Sequence, residues 1–185
     1  MRFNSHVNLE GQHAIFNPSQ YSWLNYDDSK ALEVYTNRKA AVLGTKLHEW
    51  AKTTIDLGIK QPKSKKTLYA YINDAIGFKM STEVVLYYSN RFFGTADAIC
   101  FRNKTLRIHD LKTGKIPAKI EQLEIYAALF CLEYKVKPGD IDIELRLYQN
   151  DEILYHRPTA EDILPIMDTI VHLDKLLEKI DQEED

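Results

Sequence analysis

The sequence predicts an α/β protein with a central mixed β-sheet flanked by helices. Apolar residues in the first third follow helical spacing, whereas the middle of the chain changes to short runs rich in Val, Leu and Tyr. The order of patterns is helices, three strands, helix, strand, helix, which is typical of a sheet covered by helices. A chain of 185 residues can bury one sizeable core, so we expect a single domain over residues 1–185.

Five helices are predicted, over residues 17–24, 31–57, 67–76, 118–134 and 159–180. The spacing of apolar residues supports the second and fourth, and start or stop signals support the others. The first begins at an Asn-Pro-Ser start signal, and the second follows Asp27-Asp28-Ser29. Within the second segment, Gly44 predicts a break into two helices and Gly58 predicts the end. Gly77 predicts the end of the third helix.

The predicted strands are residues 81–88, 91–101, 105–111, 141–148 and 153–156, because these runs are rich in β-branched and aromatic residues. The short link at 102–104 makes a hairpin of the second and third strands. After the strands, Thr159 and Asp162 form a variant of the capping box at the start of the last helix. Pro165 predicts a kink or a later start for that helix.

Composition and charge narrow the class of protein only slightly. The net charge is −3, yet lysines gather in two stretches, residues 60–66 and 112–119, which are either solvated loops or the lining of a basic groove. Cys100 and Cys131 lie among apolar residues, which predicts buried free thiols in a reducing compartment. No apolar run is long enough to span a bilayer, so we expect a cytoplasmic protein without membrane partners.

The predicted hairpin brings charged side chains to one end of an apolar face. Because side chains alternate along a strand, Asp97 lies on one face of the second strand, and Asp110 and Lys112 share one face of the third. With the hairpin closed at 102–104, positions 97 and 110 are near each other across the pair. We infer that both carboxylates point to the same side.

Two carboxylates on an apolar face repel each other and are costly to desolvate, and a divalent cation removes both problems. Their hard oxygens suit Mg²⁺ or Mn²⁺. Lys112 beside such an ion would orient or activate the attacking water, or stabilise the charge that builds on a phosphate. An Asp-x-Lys at a strand end is also compatible with an ordinary surface ion pair, so the flanking sequence has to decide.

Four motifs in order resemble the core of the PD-(D/E)XK nuclease superfamily, in particular its RecB-like and phage-exonuclease-like branch. They are Gly44-Thr45-Lys46-Leu47-His48, Gly94-Thr95-Ala96-Asp97, Asp110-Leu111-Lys112-Thr113-Gly114 and Gln122-Leu123-Glu124-Ile125-Tyr126. The resemblance covers about residues 18–148 and implies a restriction-endonuclease-like core. The four cysteines of the iron–sulfur members of this branch are absent from the sequence, so no cluster is implied.

The resemblance also implies roles for the flanking residues. It adds the carbonyl of Leu111 to Asp97 and Asp110 as ligands of Mg²⁺ or Mn²⁺, with Lys112 as the catalytic partner. It also implies that His48 is a ligand or lies beside the metal, and the ligand is preferred; the alternative is an ordinary hydrogen-bonded histidine on an amphipathic helix.

Three further residues have two interpretations each. Gln122 and Tyr126 share a helix face and either contact the DNA backbone or support Lys112, or else form an ordinary helix surface. Glu83 matches an acidic position often found on the first strand, where it would tune the site or hold a second metal, or it is an exposed strand glutamate. His109 points away from Asp110 and is predicted to be structural.

The implied function is metal-dependent hydrolysis of DNA phosphodiester bonds in DNA processing, repair or recombination. An exonuclease is preferred because the Gly-Thr-x-x-His and Gln-x-x-x-Tyr motifs resemble that branch. The alternatives are a structure- or sequence-selective endonuclease, and a non-catalytic nucleic-acid-binding protein that keeps the nuclease fold. Expected partners are DNA and either further copies of the chain or another subunit, and a phage or mobile-element origin would fit the resemblance.

Overall fold

The computed structural model describes residues 4–184, with side chains up to residue 181. The chain divides into two compact units, Met1–Thr45 and Lys46–Asp185. The prediction of a single domain over residues 1–185 stays a prediction.

The described residues form four α-helices and five strands, with three short 3₁₀ turns at Val7–Leu9, Tyr21–Asn25 and Pro138–Asp140. In chain order the helices and strands are α1 Asp28–Asp56, α2 Thr67–Phe78, β1 Ser81–Ser89, β2 Phe92–Arg102, β3 Thr105–Leu111, α3 Glu121–Glu133, β4 Asp142–Gln149, β5 Glu152–His156 and α4 Ala160–Glu184. The α/β class is therefore confirmed. No helix in this part of the chain is both long and apolar enough to cross a membrane.

The first unit departs from the predicted helices in two ways. The short helix predicted over residues 17–24 is a 3₁₀ turn over Tyr21–Asn25, because Asn17 Oδ1 accepts the Gln20 N–H at 3.1 Å and turns the chain first. The break predicted at Gly44 is wrong, since α1 continues through it. A glycine inside a helix costs only about 1 kcal/mol and does not by itself interrupt the helix.

The five strands form one mixed sheet in the order β1-β2-β3-β4-β5. All neighbours are antiparallel except β3 and β4, which are parallel and are joined through α3. The tight link at Asn103 and Lys104, both with positive φ (50° and 59°), closes the β2–β3 hairpin as predicted. The predicted central mixed sheet is confirmed.

Apolar residues pack on both faces of this sheet. On one face, Ile108 and its neighbours pack against Leu123 of α3 and against α4. On the other face, Tyr148 and Leu111 pack against Ile72 of α2 and against the last turns of α1. Because side chains alternate along β3, Asp110 shares the α3 face with Ile108.

Two helix ends lie elsewhere than predicted. Gly77 lies inside α2, which ends at Phe78, because the left-handed residue that closes the helix is Lys79, with a φ of 53°, two positions after the glycine. Helix α3 begins at Glu121 and not at residue 118, since the Ala118 N–H is bonded to Gln149 Oε1 at 2.8 Å.

Three other expectations for this unit are met. Gly58, with a φ of 67°, follows α1. At the start of α4, Asp162 Oδ2 accepts the Thr159 N–H at 2.7 Å, as a capping box requires, and the helix continues through Pro165. Both cysteines are buried and free, as predicted.

Candidate metal centre

The pairing of β2 with β3 ends where the charged residues begin. The last bonded pair is Ala98 opposite His109, so the register brings Asp97 opposite Asp110 one step further on. There the Leu111 N–H donates to Asp97 Oδ2 at 2.9 Å instead of to a strand partner. The Asp97 carboxylate therefore fixes the open end of the hairpin and is itself held in place.

Three potential metal ligands converge at this end of the sheet. One ligand atom from each of His48, Glu83 and Asp97 lies within 4.8 Å of the other two. Among the described residues, this is the group in which at least three potential ligands come so close together. His48 Nδ1 is 3.5 Å from Asp97 Oδ2. Burial and the nearby Asp97 charge raise the pKa of Glu83. A divalent cation would relieve this repulsion, so the donor set fits Mg²⁺ or Mn²⁺.

Glu83 reaches the group through an unusual backbone conformation. Its φ is 51°, a left-handed value that a glutamate in a strand seldom adopts. On either side of it, Thr82 pairs with Ala98 and Val84 pairs with Ala96, so the departure is confined to one residue. Strain of this kind persists where the surrounding structure holds it, and it is common at functional sites.

Asp110 lies beside this group but is not one of the three converging residues. It is 2% exposed, and burial together with the Asp97 charge raises its pKa to about 6. Its Oδ2 atom is buried and accepts no well-directed hydrogen bond, although the Lys112 ammonium lies 3.1 Å from it. The ion pair with Lys112 balances one negative charge, whereas Asp97 and Glu83 bring two further carboxylates to the same place, and this surplus fits a metal ion.

A chain of hydrogen bonds holds Lys112 next to Asp110. Lys112 Nζ donates to Asp110 Oδ1 at 3.2 Å and to Gln122 Oε1 at 2.8 Å. Gln122 Nε2 in turn donates to the Tyr126 hydroxyl at 3.0 Å. Of the two interpretations of Gln122 and Tyr126, this geometry agrees with support of Lys112.

Gly94, the first residue of the Gly94-Thr95-Ala96-Asp97 motif, positions the Tyr126 ring. A Cβ atom at Gly94 would lie 2.8 Å from Tyr126 Cε1, closer than real Cβ contacts come. The tyrosine ring therefore packs directly on the β2 backbone, where only glycine leaves room.

Replacing Gly94 by alanine should displace the Tyr126 ring and break its bond with Gln122. We expect a loss of about 1–3 kcal/mol in the free energy of unfolding, measured by denaturant titration, because the added methyl overpacks the contact. Gly139→Ala is the matched control, since its Cβ would meet Ala160 at an ordinary 3.7 Å. Equal stability of the two variants would contradict the packing argument, and in a Tyr126→Ala background the Gly94→Ala change should cost much less than it does in the wild type.

Two features of the site lie outside the predicted set. Gln149, 7% exposed, donates to the carbonyls of Gly114 (2.6 Å) and Ile116 (2.7 Å) and accepts from Ala118, so it holds the loop that follows Lys112. The predicted strand ended at residue 148, one residue before Gln149. The Gly114 carbonyl that Gln149 contacts is 35 residues away in the sequence, so no local sequence pattern indicates this hydrogen bond. Tyr71 is the second such feature. Burial and, to a smaller extent, the charge of Asp97 raise the pKa of its hydroxyl, which indicates that the side chain lies close to the carboxylates.

His109 has the structural role predicted for it. It is fully buried on the α2 face, with its ring edge-on to Phe78, and its Nδ1 is 3.2 Å from the Tyr148 hydroxyl. Tyr148 in turn donates to Asp74 Oδ2 at 2.7 Å. Burial lowers the pKa of His109 to about 3, so the ring is neutral and does not titrate near pH 7.

The raised pKa of Asp110 predicts a pH dependence for the metal-free protein. A carboxyl whose pKa is higher in the folded state than its ordinary 3.8 contributes stability below pH 4 that is lost as the pH rises through 6. Between pH 4.5 and 7.5 the loss should be about 2 kcal/mol, out of a total of about 3 kcal/mol. Unfolding free energies in chelator between pH 4.5 and 7.5 measure it, and Asp110→Asn should remove that slope. Parallel curves for wild type and Asp110→Asn would contradict the assignment; the exposed Asp168→Asn is the control.

Family models and curated protein sequences give no match to this chain. Among solved structures, the chain is similar to the protein of the "Crystal structure of SSO0001", with 15% identity and a TM-score of 0.37, over 79% of this chain and 67% of that one. A likeness at this level carries no argument about activity.

Proposed function

We propose that this protein is a metal-dependent deoxyribonuclease of the PD-(D/E)XK type, acting in the cytoplasm on DNA ends. The observation that carries the proposal is the meeting of three potential metal ligands, His48, Glu83 and Asp97, with a lysine held beside a buried aspartate. Carboxylates and an imidazole around a hard cation, with a lysine next to it, form a donor set suited to phosphodiester hydrolysis.

The ligand set proposed here differs slightly from the one expected from the resemblance. His48 and Asp97 are retained, Glu83 joins them, and Asp110 stays a proposed ligand whose carboxylate also pairs with Lys112. The Leu111 carbonyl stays a prediction. When bound, Mg²⁺ or Mn²⁺ would polarise a phosphoryl oxygen and lower the pKa of a coordinated water.

The protein side chains then have separable tasks. Lys112 carries a positive charge at the mouth of the site and can donate hydrogen bonds to a water or to a phosphate oxygen. Its bonds to Asp110 and Gln122 fix the ammonium group before substrate arrives, so little reorganisation is needed. Tyr126 keeps Gln122 in the orientation that accepts from Lys112.

A cleavage panel tests the proposal. Linear DNA labelled at either end and a closed circle are incubated with Mg²⁺, with Mn²⁺ and with a chelator. We expect cleavage only with a divalent ion, restricted to the linear substrates. Absence of ion-dependent cleavage on every substrate would favour the non-catalytic alternative, and nicking of the circle would favour an endonuclease.

A further inference from the structure

An exposed tryptophan of α1 and a half-buried tyrosine of α2 lie side by side. The Trp50 side chain is 42% exposed, and its ring centroid is 6.4 Å from that of Tyr69. Single exposed apolar side chains are common on protein surfaces, but aromatic rings also offer flat faces on which a base can stack. The two ring planes are inclined by 51°, so each ring offers its own face.

Lysines border this aromatic pair on two sides. Lys66 Nζ lies over the Tyr69 ring, 5.7 Å from its centroid, and Lys46 is four residues before Trp50 on the same helix face. We call Lys46, Trp50, Lys66 and Tyr69 the stacking surface. Lys46 and Lys66 are both exposed and form no ion pair within residues 4–181.

The basic loop next to the stacking surface has a fixed position. The backbone of Gln61 is bonded in both directions to the Asn73 amide, with the N–H donating at 2.8 Å and the carbonyl accepting at 3.0 Å. Lys60, Lys63 and Lys65 of this loop are exposed, and they likewise form no ion pair with the residues whose side chains are described. The loop therefore presents positive charge beside the rings, which is complementary to a phosphate backbone.

We propose that the stacking surface binds single-stranded DNA, with bases on Trp50 and Tyr69 and phosphates on the flanking lysines. Rings exposed in this way stack on unpaired bases, whereas the bases of a duplex are already stacked on each other. On α1, His48 and Trp50 lie on opposite flanks of the buried Ala51, so the bound strand would pass roughly 10 Å from the metal ligands, about one helix width. That this strand is the substrate rests on the proposed nuclease function; the binding itself does not.

Fluorescence anisotropy in chelator, where no cleavage occurs, tests the stacking surface. The probes are labelled oligo-dT, an abasic oligonucleotide with the same number of phosphates, and a blunt duplex. Wild type should bind oligo-dT about 10-fold more tightly than the abasic probe, because only the former can stack. Trp50→Ala should remove that preference and leave abasic binding unchanged, while Trp50→Phe should retain most of it.

Intrinsic tryptophan fluorescence gives a second measurement of the same binding. The chain has two tryptophans, so Trp23→Phe leaves Trp50 as the reporter, and oligo-dT should quench it whereas the abasic probe should not. Equal affinity for oligo-dT and the abasic probe, tighter binding of the duplex or of oligo-U, or unquenched Trp50 would each overturn the proposal. Cleavage without base-dependent binding would refute the stacking surface alone, and binding without cleavage would refute the nuclease alone.

Discussion

Replacing Lys112 by alanine should reduce metal-dependent DNA cleavage by on the order of 10²–10⁴-fold. The ammonium group is held between Asp110 and Gln122 at the mouth of the site, and no other lysine bonds to either residue within the described chain. Removing it deletes the positive charge that would stabilise the phosphate as the bond breaks. Initial rates on end-labelled DNA with Mn²⁺ measure the effect.

The control for this variant is Lys175→Ala, which removes an exposed lysine from α4 and should leave the rate unchanged. Circular dichroism and thermal melting of both variants check that the fold is retained. Lys112→Ala also leaves Asp110 without its cationic partner, so its melting temperature without metal should fall at pH 7 and less so at pH 5. Undiminished cleavage by a folded Lys112→Ala protein would refute the catalytic assignment.

Asp97→Asn should abolish both metal binding and cleavage. The change keeps the shape of the side chain, and an amide oxygen can still accept the Leu111 N–H, but one of the negative charges around the ion is lost. We expect an affinity for Mn²⁺ lower by on the order of 100-fold or more. The rise in melting temperature that a bound ion gives to the wild type should therefore disappear in this variant.

Titrating Mn²⁺ into the metal-free protein while following the melting temperature measures this directly. Asp168→Asn makes the same chemical change at an exposed position of α4 and should retain the full metal response. Glu83→Gln distinguishes the two interpretations of that residue. If Glu83 is a ligand, the substitution should weaken Mn²⁺ binding, and if it is only an exposed strand glutamate, Mn²⁺ binding should not change. An unchanged Mn²⁺ response in Asp97→Asn would place the metal elsewhere.

Much of the sheet could be predicted because its signals are local. Strand β3 begins and ends where predicted, at Thr105 and Leu111, since alternation and the adjacent turn are visible in a few residues. Glycines were less informative. Gly44 and Gly77 both sit inside helices, because a glycine stops a helix only where a left-handed residue is needed, and tertiary packing decides that place.

How the predicted site residues lie relative to one another could be foreseen only in part. Strand parity was sufficient to bring Asp97 opposite Asp110, since the hairpin register depends only on the turn between them. The left-handed backbone of Glu83 and the packing of Tyr126 on Gly94 could not be foreseen, because each depends on contacts between elements. For the same reason, the three-residue group contains Glu83 where Asp110 was expected.

The placement of the site along the chain has an evolutionary consequence. Apart from His48, the proposed metal ligands and the residues around Lys112 come from one continuous stretch between β1 and α3. Insertions in the α1–α2 loop, or additions beyond β5, would leave the geometry of that stretch intact. We therefore expect homologues to differ most in these peripheral segments, so that substrate preference can diverge while the reaction chemistry is inherited unchanged.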